Sequence, residues 1–397
     1  MIKVSVNRLQ AGMVVAKPIV TKRGQTIASA GASLTSQLIA KLSFYRIQTV
    51  MIDENSIPQE IREQAVTLEV AEPKPEAPAQ KPVAKPVTEQ KTETPHPQVH
   101  PLETTSHRQR IQSTPQFQAF QTSYTRNMIS LKEDFDLIIA GQVDGACDHL
   151  LSEAASLFAS KTSLELFDMI HTMRSVDDSV YAHSLNVALI SRAIGKWMQF
   201  SKEDLNTLTL AGLLHDIGKT QIPPEILNKQ GKLTDEEFDI IRSHAKLGHK
   251  ILKDTDLDLR IKLAALQHHE RYDGSGYPRG LESDEIDTFA SIVAIADVYD
   301  AMTAARFYRA PKCAFQVIAA FEDDGFQKYN LKVIFTFLQR GAACYNNSRV
   351  LLSDGTAGQI VYLNKNTLSR PIVDTVEHGL IDLSQSANKD LFIKAIL

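Results

Sequence analysis

The chain predicts a mainly helical protein whose large central domain is flanked by two small β-containing units. Three observations carry this expectation: apolar residues recurring every three or four positions from about 112 to 340, short β-branched runs at both ends, and an abrupt change of composition near residue 71. At 397 residues the chain exceeds the roughly 100–200 of a single domain, so two or three units are expected.

Residues 1–57 combine the β-like pieces VSVNRL, GMVVAKPIV and QTVMID with the helical pattern SLTSQLIAKLSFYRI, and read as a small α+β domain. Residues 58–111 read as a linker. The stretch AEPKPEAPAQKPVAKPVTEQKTETPHPQVHP holds eight of the sixteen prolines, and Pro alternating with Lys and Glu favours an extended, solvated chain. Residues 112–344, with LKEDFDLIIAG, ACDHLLSEAASLFAS and LELFDMIHTM, read as one helical domain whose motif core spans 170–340. Residues 345–397 (SRVLLSDGTAGQIVYLNK, RPIVDT, HGLIDL) read as a β-rich extension packed on that domain, with a hairpin expected at Asp354-Gly355.

Composition narrows the function classes. The net charge of -4 argues against non-specific attraction to DNA or RNA, while leaving room for a small anion held by a local basic cluster. The N-terminus has no apolar stretch behind a basic start, and no run approaches the roughly 18 apolar residues of a membrane span, so a cytoplasmic protein is expected. Cys147, Cys313 and Cys344 form no C-x-x-C pair, which speaks for reduced, packed thiols over disulfides or thiolate zinc.

Six of the twelve histidines lie between 183 and 269. They sit in particular company: His183 in HSLNVA, His215 beside Asp216 in LLHDIGK, His244 in RSHAKLGH, and His268 with His269 in LQHHERYDGSGYP. Imidazole nitrogens and carboxylate oxygens hold iron, manganese or zinc, and the absence of thiolate neighbours favours a catalytic over a structural site. His215 and Asp216 follow the stripe Leu205, Leu208, Gly212 and are expected in the last turn of a helix facing the core. Thr234 and Glu237 have capping-box spacing, opening a helix expected to carry His244 three turns in. Ile261 and Ala264 place His268 inward. Neighbouring helical residues diverge by about 100°, so His269 joins only a cluster at the helix edge. Asp297 interrupts the apolar SIVAIADVYDAM, and a buried carboxylate costs several kcal/mol unless paired or metal-bound. Asp300 is expected to support a ligand or lie at the surface. Singly, each histidine reads as an ordinary hydrogen-bonded residue, and that reading is kept for His149, His171, His249, His378 and the linker's His96, His100 and His107; the joint pattern lifts the others.

The strings HSLNVA, LLHDIGK, ILNKQGKLTDEE, HAKLGH, HHERYDGSGYP and IADVYDAMTAARFYR, in this order, resemble the HD-GYP subgroup of the HD phosphohydrolase superfamily. The resemblance implies an all-helical HD-type bundle that hydrolyses cyclic di-GMP to pGpG, in some members onward to GMP. It implies metal ligands at His183, His215, Asp216, His244, His268, His269 and Asp297, with Asp216 the bridge. Lys219 matches the lysine on the scissile phosphate, Tyr277 the tyrosine of the GYP loop, and Arg306 with Arg309 the phosphate-holding basic residues. Two cations bridged by a carboxylate would lower the pKa of a bound water, making the nucleophile a metal-bound hydroxide, with Asp216 and Lys219 the catalytic residues. Residues 1–57 are similar to a small domain that often precedes HD-GYP domains.

The chain departs from the pattern at three places. Ser179 stands where members with three metals have glutamate, so two divalent ions, iron or manganese, are expected. Ser291 replaces an arginine and Phe307 a proline. The alternatives are a weakly catalytic receptor or scaffold that binds cyclic dinucleotide or GGDEF-domain proteins, and a hydrolase of another cyclic dinucleotide. A homodimer through residues 120–165 is left open.

Overall fold

The computed structural model describes residues 1–20, 26–35, 38–39, 42, 47–57, 111–158, 162–173, 179–229, 231–304 and 311–397. The expected linker up to residue 110, most of the helix expected over 33–47, and Arg306, Phe307 and Arg309 lie outside the described residues.

The N-terminal unit contains β1 (Ile2–Ser5), β2 (Ile19–Val20), β3 (Thr26–Ala28) and β4 (Thr49–Ile52). β1 pairs antiparallel with β4, Ile2 opposite Ile52, and β2 pairs with β3. Alternation puts Val4, Val50 and Ile52 on one side, where they meet Met13, Val15, Leu34 and Leu42 in a core of their own.

The central unit is helical: α1 (Pro115–Ile139), α2 (Val143–Phe158), α3 (Ser163–Met173), α4 (Val180–Trp197), α5 (Lys202–Leu214), α6 (Asp235–Arg242), α7 (His244–Leu252), α8 (Leu259–Gln267), α9 (Thr288–Thr303), α10 (Ala314–Ala320) and α11 (Leu331–Ala343). Side-chain caps set the starts that matter for the site: Ser179, Ser201, Thr234, Asp258 and Asp287 each accept from a backbone N–H of the first turn. The expected capping box at Thr234 and Glu237 is present in both halves. α4 and α9 are buried on nearly every face, so they form the middle of the bundle, packed on each other and on α5 and α8. α1 is tied to α4 through the Tyr124 hydroxyl, 2.7 Å from Asn186 Oδ1.

Two glycines permit close approach at the heart of the bundle. A Cβ on Gly212 of α5 would lie 2.6 Å from the Cα of Ala188 on α4, and one on Gly218 would lie 2.0 Å from the His244 carbonyl oxygen. The 3-10 turn Ile217–Gln221 after α5 therefore rests directly on the backbone of α7.

The chain ends in β5 (Arg349–Leu352), β6 (Ala357–Tyr362), β7 (Ile372–Thr375), β8 (Gly379–Asp382) and β9 (Ile393–Ile396), an antiparallel sheet in the order β8-β7-β6-β5-β9. The expected hairpin at Asp354-Gly355 joins β5 to β6, with Gly355 at φ +95° and Asp354 accepting from the Thr356 N–H. Val350, Leu352, Ile360, Val373 and Ile393 face inward and share one core with the helices. A one-turn π-bulge at Phe321–Gly325 turns Glu322 toward the sheet. Its buried carboxylate accepts from the Leu368 N–H at 2.5 Å and the Ser369 hydroxyl at 2.5 Å. No helix among the described residues is long and apolar enough to cross a membrane. All three cysteines are free.

Replacing Glu322 by Ala leaves those buried donors unmatched and is expected to cost about 3 kcal/mol. The melting temperature should fall by roughly 5–10 °C, with hydrogen-exchange protection lost first in 349–396. Unchanged protection of the sheet would show that the contact does not hold it.

Candidate metal centre

The centre is assembled at helix ends. α5 stops at Leu214, so His215 is its C-cap and Asp216 starts the following 3-10 turn. This differs slightly from the expected last helical turn. A larger difference concerns His244: α6 ends at Arg242 and His244 opens α7, where a single helix was expected. The break coincides with side chains taking helical carbonyls, Ser243 Oγ donating to Ile240 O at 2.6 Å and His244 Nδ1 to Ile241 O at 2.5 Å. α8 ends at Gln267, so His268 caps it and His269 leaves the helical path. That exit lets two adjacent histidines face one cluster, which a continuing helix permits only at its edge.

Asp216 stands at the centre, 1% exposed. One oxygen, Oδ2, lies 3.3 Å from His215 Nε2 and 3.6 Å from His183 Nε2; the other, Oδ1, lies 3.3 Å from His244 Nε2 and 3.7 Å from His268 Nε2. The donor atoms thus form two groups, His183–His215–Asp216 and Asp216–His244–His268–His269, sharing one carboxylate. Asp297 falls in neither group but between them, 3.1 Å from His183 Nε2 and 3.8 Å from His269 Nδ1. The structure therefore brings together all seven residues singled out as ligand candidates.

Tautomers are set by the surrounding backbone. His215 donates Nδ1–H to Gly212 O at 2.8 Å, His244 to Ile241 O, and His268 to Ala264 O at 3.0 Å. In each ring the Nε2 lone pair is left facing the cluster. His183 gives its Nδ1–H to the buried carboxylate of Asp300 at 2.7 Å, so Asp300 is the supporting acid of this centre. Ser179 is used elsewhere, its hydroxyl accepting from the Ala182 N–H as the cap of α4.

The electrostatics suit a cation. Burial alone would raise the carboxyl pKa values, yet His215 and Lys219 hold Asp216 well below the carboxylate range, and His183 does the same for Asp297. Burial pushes His244 down to about 4 and His268 and His269 below their usual value, so these imidazoles are neutral. Ionised carboxylates and neutral imidazoles are the states a divalent ion requires. His183 is the exception: burial lowers it, but Asp297 and Asp300 outweigh that and raise it to about 9. His215 Nε2 and Asp216 Oδ1 are buried without a hydrogen-bond partner among the described residues, and a metal ion answers both. The donor set fits such an ion.

Lys219, one turn beyond Asp216, pairs with its Oδ2 and remains partly exposed. Tyr277 stacks on His269, ring centres 4.6 Å apart. Sequence reasoning missed what positions it. Glu270, 2% exposed, accepts from the Arg279 N–H at 2.7 Å and the Leu281 N–H at 3.0 Å, folding the Gly274–Gly280 loop back onto the histidine pair. Gly276 is required there, because a Cβ would lie 2.4 Å from Glu270 Cα. The available signal was a charged residue directly after two inward histidines. Ser291, where an arginine was expected, is buried in α9 with its hydroxyl unpartnered among the described residues.

Removing the support of His183 tests the centre. Asp300→Ala is expected to weaken metal affinity by about 10- to 100-fold, read by chelator competition, and stripping the metal should lower the melting temperature of the parent. Parent-like affinity in the variant would remove Asp300 from the centre.

Comparison with known proteins agrees with the geometry. Residues 150–333 match the HD domain family. A cyclic di-GMP phosphodiesterase of Thermotoga maritima is 38% identical over 179 residues, 44% of this chain and 48% of that protein. One from Pseudomonas aeruginosa is 41% identical over 138 residues, 34% of this chain and 33% of that protein. The 3'3'-cGAMP-specific phosphodiesterase 1 of Vibrio cholerae is 40% identical over 149 residues, 36% of this chain and 35% of that protein. The chain thus spans half or less of the length of these relatives. With the His215–Asp216 pair at the centre of its buried histidine cluster, the segment 150–333 of this chain is an HD domain.

Proposed function

We propose that the chain is a metal-dependent cyclic-dinucleotide phosphodiesterase that hydrolyses cyclic di-GMP to pGpG, with GMP as a further product. The observation that carries this reading is the single buried carboxylate, Asp216, shared between two groups of inward-facing imidazoles. That arrangement suits two divalent ions, iron or manganese, held by His183, His215, Asp216, His244, His268, His269 and Asp297. Once bound, the ions supply Lewis acidity, a nucleophile from water at neutral pH and a clamp on the phosphoryl oxygens.

The chain's own residues do the rest. Asp216 keeps its negative charge because Lys219 and the surrounding imidazoles oppose protonation. Lys219, on the exposed side of that carboxylate, is placed to meet a phosphate oxygen as charge builds there. Tyr277 covers His269 and limits water at that side, and Arg306 with Arg309 are proposed to hold the phosphate from the segment after α9. A cytoplasmic location, and GGDEF-domain proteins as protein partners, are proposed together with this reading.

A second, less supported reading is that the same centre acts on the mixed dinucleotide for which a Vibrio relative is named, since metal and phosphate contacts do not depend on the base. Product analysis separates the readings. Protein loaded anaerobically with iron or manganese is expected to convert cyclic di-GMP to pGpG, and a His215→Ala, Asp216→Ala double variant to yield none. Full turnover of 3'3'-cGAMP with none of cyclic di-GMP would establish the second reading, and no turnover of either at confirmed metal occupancy would sink both.

Lys219→Ala should lower kcat by about 10²–10³-fold with metal content unchanged, and Lys219→Arg should recover part of it. Loss of metal in step with activity would instead make Lys219 a structural partner of Asp216.

A further inference from the structure

The metal centre leads to the surface through a column of planar groups. Its inner member is His269; the Tyr277 ring stacks on it at 4.6 Å and 27°, and the Arg242 guanidinium carbon lies 4.6 Å from the centre of the Tyr277 ring. The outer member is open. Arg242 is 40% exposed, and its ion pair is one 3.3 Å contact to the exposed Asp239, an arrangement worth little in water. Phe238, one turn earlier on α6, is 49% exposed with its ring 5.9 Å from the same guanidinium. α6 buries none of its residues, so core packing does not account for an aromatic ring and a guanidinium placed together here.

Building on the cyclic-dinucleotide reading, we propose that Arg242 is a further substrate-binding residue, whose outward face, flanked by Phe238, stacks one purine base of the bound dinucleotide. A guanidinium is planar, weakly hydrated and always charged, and it stacks on aromatic faces as a lysine cannot. Unpaired bases are held in this way by aromatic side chains and arginine planes. The column also matches the ligand's layout, with the phosphate at the carboxylate-bridged centre and a base projecting outward along a path that ends in positive charge. This contact lies outside the metal and phosphate machinery and gives the site a grip on the nucleoside.

The test uses the full-length, manganese-loaded protein. Turnover is measured with cyclic di-GMP and with methyl p-nitrophenyl phosphate, a phosphodiester without a purine, and equilibrium affinity with a phosphorothioate analogue of cyclic di-GMP. Arg242→Ala is expected to raise KM and Kd for the dinucleotides about tenfold, well beyond any effect on the small diester. Arg242→Tyr, which restores a flat face, should recover affinity, and Arg242→Lys, which restores only charge, should not. Equal losses on both substrates, or rescue by lysine, would overturn the platform; the first would make Arg242 a prop for Tyr277 and the second a simple phosphate counter-charge. A parent that binds the analogue without turning over any dinucleotide would defeat the proposed function while leaving the platform to be judged on the Kd series. A parent that binds no analogue would overturn the platform as well.

Discussion

The buried negative charge of Asp216 is the constraint on which the rest of this molecule depends. A carboxylate taken out of water costs several kcal/mol unless opposite charge or strong donors surround it. Here four imidazoles and Lys219 crowd its two oxygens, two rings to each side, and a second buried carboxylate, Asp297, lies alongside. Lys219 pairs with Asp216, and Asp297 and Asp300 keep His183 protonated, while burial leaves His244, His268 and His269 neutral. Ionised carboxylates facing neutral rings, with His215 Nε2 and Asp216 Oδ1 buried and unpartnered among the described residues, suit cations, which is why the site reads as a metal centre rather than a polar core.

The fold meets that constraint by bringing helix ends together. Three of the imidazoles orient themselves by donating to a carbonyl three or four residues back, at or near the end of the helix preceding them or at a break in it. Helix C-termini leave carbonyls unpaired, so a histidine placed there satisfies the backbone and presents Nε2 outward in one contact. Gly212 and Gly218 then let the elements approach closely enough for separate helix ends to share one carboxylate.

Above the centre, Glu270 performs the same service for a loop. By accepting two backbone N–H groups it converts a flexible stretch into a fixed wall carrying Tyr277, and that wall continues through Arg242 to the surface. Positioning by buried acids recurs elsewhere: Asp300 on His183, and Glu322 on the turn that docks the C-terminal sheet. In each case a charged acceptor fixes its donors, His183 for Asp300 and more than one for Glu270 and Glu322, by an interaction stronger than a neutral hydrogen bond.

The sequence by itself determined the fold class and the composition of the centre. Periodicity marked the helices, Asp354-Gly355 the hairpin and Thr234 with Glu237 the start of α6, because these are local signals carried by neighbouring residues. Histidines and aspartates beside apolar stripes were legible as candidates because burial makes such groups costly without a partner. Tertiary structure alone decided the rest. Which oxygen of Asp216 faces which rings depends on helices far apart in sequence, and the break at Ser243 depends on side chains competing for carbonyls, a balance invisible to periodicity. Glu270 and Asp300 owe their roles to donors brought from a folded-back loop and from α4, and the Arg242–Tyr277–His269 column exists only because that loop closes over the centre; spacing along a chain records none of these three-dimensional encounters.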